Sequence, residues 1–168
     1  MQRLFMLAAL AWSTAAMPAT PASRTGSFRL DAAPARVFPF FTAEGERAWA
    51  PGWEPEMLSG DVERGSVFRT RNHDKVVTWI VTDYEPAAWR VSYARLVEGS
   101  NMGLVDVSCA PDGRGTRVTV RYTLTPIAAD GDAAVAHLLD AARYADFMQE
   151  WQTAITAALA HDAPRGEP

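Results

Sequence analysis

The sequence predicts an α+β domain that combines an antiparallel β-sheet with a long C-terminal helix. The first observation is that five segments between residues 66 and 126 alternate apolar and polar side chains with a period of two, which is typical of strands. The second is that only short turn sequences separate them, so neighbouring strands must run antiparallel. The third is a segment rich in Ala and Leu, at 132–160, whose apolar positions recur with helical spacing.

Length and composition are those of one globular domain. The chain has 168 residues, of which 48% are hydrophobic and 21% are charged, enough for a single core. The formal net charge is −4 and no run of like charge occurs, which argues against a nucleic-acid partner because phosphate binding needs a basic face. The single cysteine, Cys109, has no partner for an internal disulfide and is predicted to be a small buried side chain in a strand.

The N-terminal segment "MQRLFMLAALAWSTAAMPA" allows two interpretations. Its apolar run from Leu4 to Trp12 follows Arg3 and precedes small residues, the pattern of a weak secretory signal within residues 1–16. Alternatively, it is an extension upstream of a start near Met17. The first interpretation implies a periplasmic or secreted protein and the second a cytoplasmic one. The run is too short for an integral membrane span, which needs about 20 apolar residues.

The fold is expected to occupy residues 24–162, between an N-terminal extension at 1–23 and a frayed tail at 163–168. It begins with the alternating strand "SFRLD" at 27–31. Asp31 is a plausible helix cap and Pro34 suits the first turn of a short helix. This helix is predicted to direct Val37, Phe38 and Phe41 inward, with its regularity limited by Pro39.

The stretch "EGERAWAPGWEP" at 44–55 is predicted to be an ordered connection that adds one helical turn before Pro51 ends it. Trp49 and Trp53 are too large and apolar for a solvated loop, so we expect their rings to cover part of the interior. The charged residues of the helical turn are predicted to form a solvated face: Glu44, Glu46 and Arg47.

The strands are predicted at 66–72, 75–86, 88–99, 102–113 and 116–126. Alternation is clearest in the last, where one face is apolar and the other polar. The apolar face carries Val118, Val120, Tyr122 and Leu124. Its polar counterpart carries Arg117, Thr119, Arg121 and Thr123. The strand at 88–99 is expected to place Trp89, Val91 and Tyr93 on one face.

The long helical segment at 132–160 carries two apolar stripes rather than one. The first contains Val135, Leu138, Leu139 and Ala142. The second points nearly the opposite way and contains Tyr144, Phe147, Met148, Trp151, Ile155 and Leu159. A straight helix cannot lay both stripes on one sheet, so we predict a bend or break near Arg143, or a first half that faces another neighbour.

This order of elements resembles the SRPBCC superfamily, the START-related, polyketide cyclase-like proteins. The resemblance covers about residues 24–160 and depends on "FRLDAAPARVFPFFTAEGERAWAPGWEP", "GSVFRTR", "VVTWIVTDYEP" and "FMQEWQTAI". It implies the helix-grip fold, in which a curved antiparallel sheet wraps around a long C-terminal helix, with two short helices after the first strand. It also implies an apolar cavity between sheet and helix. Members include lipid carriers, hormone receptors, cyclases, oxygenase subunits and activators of chaperone ATPases.

Within that fold, eleven side chains are candidates for the walls of a ligand cavity: Phe38, Trp49, Trp53, Phe68, Trp79, Tyr93, Arg95, Tyr122, Phe147, Met148 and Trp151. Alternatives stay open for several of them. The two loop tryptophans would otherwise only fill the core, and the tyrosines would bury their rings while the hydroxyls reach solvent or backbone. Arg95 continues the face of Val91 and Tyr93, so its guanidinium either meets a ligand carboxylate inside the cavity or extends along the strand to water.

Sequence motifs provide no support for an enzyme, a metal site or a cofactor. The three histidines, His73, His137 and His161, share no metal-binding spacing, and no Gly-x-Ser-x-Gly elbow or phosphate loop occurs. The favoured hypothesis is that the domain binds or carries a small hydrophobic molecule, lipid-like or aromatic. The alternative is a cofactor-free cyclase or dehydratase in which Tyr93 or Arg95 polarises a carbonyl. A third hypothesis is a protein-interaction module that uses the outer face of the sheet.

Overall fold

The computed structural model describes residues 19–72 and 74–162. The signal-like segment at 1–16, the possible start at Met17, the tail at 163–168 and His73 all lie outside the described residues. The first strand pairs from Ala22 onward, so the fold begins slightly upstream of Arg24. Within the described residues, no helix is long and apolar enough to span a membrane.

Within residues 19–72 and 74–162, seven antiparallel strands form one curved sheet in the order β1-β7-β6-β5-β4-β3-β2, which confirms the predicted fold class. Each strand pairs with its neighbour in the chain except β1, which closes onto β7. Their bounds are β1 Ala22–Leu30, β2 Glu56–Ser59, β3 Val67–Asn72, β4 Lys75–Glu85, β5 Arg90–Val97, β6 Asn101–Asp112 and β7 Gly115–Pro126. The four apolar residues predicted for the inner face of β7 are all buried.

Two strand predictions need correction. The strand predicted from residue 88 begins at Arg90, because Trp89 adopts a left-handed conformation with φ 51° after the 3₁₀ helix η3 (Pro86–Ala88). Such a residue turns the chain and cannot continue an extended ladder. In addition, no strand was predicted at β2, a four-residue strand at the edge of the sheet. It is too short to show a period.

The short helices follow β1 as predicted. They comprise α1 (Pro34–Val37), the 3₁₀ helix η1 (Phe38–Phe41) and the 3₁₀ helix η2 (Gly45–Ala48). Pro39 coincides with the change from α to 3₁₀ geometry, since proline lacks the backbone donor of an α-helical turn. The predicted cap is wrong: Ala33 occupies the N-cap position without a side-chain bond, and Asp31 pairs with Arg29 instead.

The C-terminal helical segment is broken, as the two apolar stripes predicted. It consists of α2 (Ala129–Leu138) and α3 (Ala141–His161). The carboxylate of Asp140 caps α3 by accepting from the backbone N–H groups of Ala142 and Arg143, at 3.1 Å each. On the other side of the break, Arg24 Nε donates to the carbonyl of Leu139 at 2.5 Å. Each helix end at the break therefore has side-chain partners for some of its free backbone groups.

Helix α3 packs chiefly on β1, close to one edge of the sheet. The contact is tight at Gly26, where a Cβ would lie 2.5 Å from Met148 Cγ and 2.9 Å from Tyr144 Cε1. A side chain at this position would force Met148 or Tyr144 to move, because such distances are far below van der Waals contact. The helix therefore rests on β1, and interior space remains over β3 to β7.

Candidate functional site

An interior cavity of about 480 Å³ lies between the inner face of the sheet, the connection that follows η2, and the facing side of α2 and α3. Its volume lies within the range of roughly 300–1,000 Å³ that is usual for small-molecule sites. Nine of the eleven predicted residues line it: Trp49, Trp53, Phe68, Trp79, Tyr93, Arg95, Tyr122, Phe147 and Trp151.

The two remaining predictions, Phe38 and Met148, are wrong as cavity residues. Phe38 is buried elsewhere and stacks on Tyr84, with ring centroids 5.7 Å apart. Met148 follows Phe147 in α3, but one residue is a rotation of about 100°, which turns Met148 onto β1. Phe147 and Trp151, four residues apart, share the helix face toward the cavity.

Strand register builds the sheet side of the cavity in two rows. The first row pairs Trp79 with Arg95 and Arg95 with Gly103 across β4, β5 and β6. Gly103 has to be glycine because a Cβ would lie 2.0 Å from the Thr123 carbonyl oxygen, so no side chain competes with Arg95 for space there. In the second row, Tyr93, Val105 and Tyr122 are successive partners across β5, β6 and β7.

Four aromatic rings form the wall near β3 and β4. Phe68 and Trp79 are nearly parallel, with centroids 5.8 Å apart and an interplanar angle of 5°. Trp53 meets Trp79 edge-on at 5.7 Å, and Tyr93 stands almost perpendicular to Phe68 at 5.9 Å. Edge-to-face and offset arrangements of this kind fix the rings in place.

A second aromatic group forms the opposite wall. Trp151 contacts Trp49 at 4.9 Å and Phe147 at 4.8 Å between centroids, and Phe147 contacts Tyr122 at 6.3 Å. Among the described residues, no ring of this group pairs with a ring of the β3–β4 wall. The cavity is the space between the two groups.

The connection that carries the two loop tryptophans is held by hydrogen bonds to its own flanks. Trp49 Nε1 donates to the Phe40 carbonyl and Trp53 Nε1 to the Ala43 carbonyl, each at 2.7 Å. Arg47 bonds Glu44 at 2.7 Å and also binds Glu54. Both indoles thus line the cavity and at the same time hold the connection to its flanks.

Glu46 is a cavity residue that sequence reasoning missed. Of the three residues assigned to a solvated face, Glu44 and Arg47 are exposed, whereas Glu46 lines the cavity. Burial raises the pKa of Glu46 from 4.5 to about 8. The spacing of the residues could have indicated this position of Glu46. Residues i and i+3 eclipse in a 3₁₀ helix, which places Glu46 on the same side as Trp49.

The two tyrosines of the second row, Tyr93 and Tyr122, both have phenol groups with raised pKa values. Tyr93 Oη donates to the Phe41 carbonyl at 2.7 Å, so its polar end is occupied by backbone. Burial raises the pKa values of Tyr93 and Tyr122 well above the ordinary range, and the charge of Glu46 raises both further. The positive charge of Arg95 acts in the opposite direction and lowers the pKa of Tyr122. Both phenols therefore remain neutral at physiological pH.

Arg95 lines the cavity and is half-buried. Its guanidinium carbon lies 5.6 Å from the centroid of the Trp79 ring. Its Nε and Nη1 atoms are buried without a hydrogen-bond partner in the described part of the chain. Desolvation lowers the pKa of Arg95, but a guanidinium keeps its charge in proteins.

The mouth of the cavity is marked by lining residues that are also exposed to solvent, namely Pro51, Gly52 and Arg71. Leu138, at the end of α2, is half-buried on the same lining. The opening therefore lies between the turn after η2, the end of β3 and the end of α2.

Other reactive groups are not gathered at this site. The described residues contain no cluster of three or more His, Cys, Asp or Glu side chains that would hold a metal ion. Cys109 is buried in β6, as predicted, and burial raises the pKa of its thiol to about 12. The described lining of the cavity thus offers aromatic walls, the carboxyl group of Glu46, and the positive charges of Arg95 inside and Arg71 at the mouth.

Residues 21–162 match a family model described as polyketide cyclase / dehydrase and lipid transport. No curated protein matches the sequence of the chain.

Solved structures with similar folds share little sequence identity with the chain. A norcoclaurine synthase from Thalictrum flavum, solved with dopamine and hydroxybenzaldehyde, is 9% identical, with a TM-score of 0.66 over 98% of this chain and all of that one. An uncharacterised protein from Rhizobium leguminosarum is 16% identical, with a TM-score of 0.64 over 86% and 97% of the two chains. A protein from Chromobacterium violaceum is 15% identical, with a TM-score of 0.57 over 80% and 94%. These structural similarities show that the chain shares the fold of those proteins.

Proposed function

Because the chain belongs to the polyketide cyclase/dehydrase and lipid transport family, within the SRPBCC superfamily, we propose that it binds a small, mainly apolar molecule in its interior cavity. The observation that carries the proposal is the pair of facing aromatic walls around about 480 Å³ of space. Rings already held by their neighbours lose little entropy when a flat guest enters between them.

Two further observations support an aromatic rather than a purely aliphatic guest. Among the described residues that line the cavity, eight have aromatic side chains: Trp49, Trp53, Phe68, Trp79, Tyr93, Tyr122, Phe147 and Trp151. The norcoclaurine synthase of similar fold was solved with two small aromatic molecules.

The proposal is tested by filling the cavity. Val105→Phe adds a ring on the inner face of β6, where Val105 lines the cavity. Leu104→Phe is the matched control, since Leu104 is the next residue of the same strand and is 46% exposed on the outer face. Fluorescence titration with the neutral probe N-phenylnaphthylamine should show saturable binding to the unaltered protein and to Leu104→Phe. Affinity for Val105→Phe should fall by about tenfold or more, equivalent to about 1.4 kcal/mol.

Equal binding to both variants would place the probe outside the cavity. Absence of binding to the folded, unaltered protein would overturn the proposal. Melting curves of both variants are needed alongside, so that a loss of binding is not confused with a loss of structure.

A second candidate, a cofactor-free cyclase or dehydratase, is favoured by Glu46. A carboxyl group with a pKa of about 8 inside a cavity is suited to take up a proton from carbon next to a carbonyl. Arg95 would hold the carbonyl oxygen as negative charge develops on it. Tyr93, offered for that role by the sequence, already donates its hydroxyl proton to Phe41. Turnover of a polyketone that Glu46→Gln reduces by about 100-fold or more, with probe affinity retained, would support this candidate.

A further inference from the structure

We infer that the ligand of this cavity is an anion, an aromatic molecule whose carboxylate pairs with Arg95. The inference depends on the proposed function and adds the charge of the ligand to it. Its starting point is that the protein places a fixed positive charge in an otherwise mainly apolar interior and provides no described acceptor for Nε and Nη1. Arginine is rarely buried unless it is paired, because desolvating its charge costs several kcal/mol.

The protein does not supply the missing partner. Glu46 is the only acidic side chain on the cavity lining, and no ion pair joins it to Arg95 in the described structure. Burial is the sole cause of the raised pKa of Glu46; a nearby guanidinium would lower that pKa. No described acidic side chain therefore pairs with Arg95 within the cavity.

The position of Arg95 suits a carboxylate on a flat ring system. Its planar fork can donate two parallel hydrogen bonds to a carboxylate. Trp79 lies beneath the guanidinium, and Gly103 leaves its other flank without a side chain. A guest stacked between the aromatic walls would therefore present its acidic group to β5. Arg71, at the mouth, adds a second positive charge along the entry path.

The test compares two probes of nearly the same shape, naphthoate and its neutral amide, naphthamide. Calorimetric titration of the full chain at pH 7 should give affinity about 10- to 100-fold higher for naphthoate, the range expected for a buried charge-assisted hydrogen bond. In Arg95→Met this preference should vanish while naphthamide still binds. In Arg121→Met, which removes the same charge from the exposed outer face of β7, the preference should persist.

Ionic strength separates the cavity from surface binding. A pair formed inside is weakly screened, so the preference for naphthoate should survive about 0.5 M salt, whereas attraction to surface arginines would disappear. Equal affinity for the two probes, or a preference that persists in Arg95→Met, overturns the inference and leaves the proposed function standing. Binding of neither probe overturns both. The comparison of naphthoate with naphthamide uses the unaltered protein. It can therefore overturn the inference even if Arg95→Met fails to fold.

Discussion

The guanidinium of Arg95 lies over the indole ring of Trp79, with its carbon 5.6 Å from the ring centroid, and buries Nε and Nη1 without described acceptors. The cation–π contact with this ring offsets part of the hydration energy that the guanidinium loses on burial. Without a ligand anion, the remaining cost lowers the stability of the folded state. An unpaired charge of this kind on a cavity lining opposes folding, and such costs are typical of functional positions.

The first prediction is that Arg95→Leu stabilises the ligand-free protein. Replacing an unpaired buried charge by an apolar side chain should raise the free energy of unfolding by about 1–3 kcal/mol. Urea denaturation of detergent-free protein measures it. Arg121→Leu, on the exposed face of β7, should change stability by less than about 0.5 kcal/mol. A large loss of stability in Arg95→Leu would mean that the guanidinium is satisfied in the folded protein.

The second prediction concerns the pH dependence set by Glu46. In the unfolded chain its pKa is near 4.5, and in the folded protein it is about 8. Between these values the folded state holds a proton that the unfolded chain has lost, so the free energy of unfolding falls as pH rises from about 5 to 8. Glu46→Gln cannot ionise and should remove this decline.

At pH 8, Glu46→Gln should therefore be more stable than the unaltered protein by about 1–3 kcal/mol, less than the full pKa displacement implies because water can enter the cavity. At pH 5 the two proteins should be nearly equal. Denaturation curves at pH 5, 6, 7 and 8 provide the comparison, with Glu44→Gln as the control because Glu44 is exposed on the same connection. Parallel curves for Glu46→Gln and the unaltered protein would show that the carboxyl is solvated.

The strand side of the cavity was predictable because a period of two fixes which face each residue occupies. Once Val118, Val120 and Leu124 are placed inside, Tyr122 has to be inside too, and Tyr93 follows from Val91 in the same way. Arg95 lies on the predicted face, but the alternation cannot tell whether a long side chain ends in the cavity or in water. Its place on the cavity lining, opposite Gly103, depends on contacts across the sheet that the sequence of one strand does not report.

The helical side was harder to predict because neighbouring residues of a helix face different directions and several of those directions are apolar. Met148 and Phe147 look equivalent in sequence, and only the close approach of α3 to Gly26 separates them. Glu46 was missed because a charged residue beside Gly45 and Arg47 has the composition of a solvated turn. Its burial depends on how η2 is seated over the sheet, which local sequence does not report.

The third prediction is that Cys109 is unreactive in the folded protein. Its thiol is buried in β6 and has a pKa of about 12, so at pH 8 only about one molecule in ten thousand carries the reactive thiolate. Ellman's reagent should therefore label native protein at pH 8 only at the rate at which the sheet opens. In urea, labelling should be complete within minutes. Rapid labelling without denaturant would show that β6 is accessible in the native state.

The fourth prediction tests the contact that holds α3 on β1 and so keeps the cavity open over the central strands. Gly26→Ala places a methyl group 2.5 Å from Met148 Cγ, so a neighbour has to move, and we expect a loss of about 1–3 kcal/mol in the free energy of unfolding. Met148→Ala alone should cost about 2–5 kcal/mol because Met148 is buried.

The double variant shows whether the effects of Gly26→Ala and Met148→Ala come from one shared contact or from two independent defects. Removing the Met148 side chain clears space for the new methyl group, so Gly26→Ala with Met148→Ala should cost less than the two single changes added together, by about 0.5–3 kcal/mol. The relief should be incomplete, since Tyr144 Cε1 would still lie 2.9 Å from the added carbon. If the changes in the free energy of unfolding, measured by urea denaturation, add strictly, then α3 does not rest on Gly26. The helix would then be free to settle on the central strands and close the cavity.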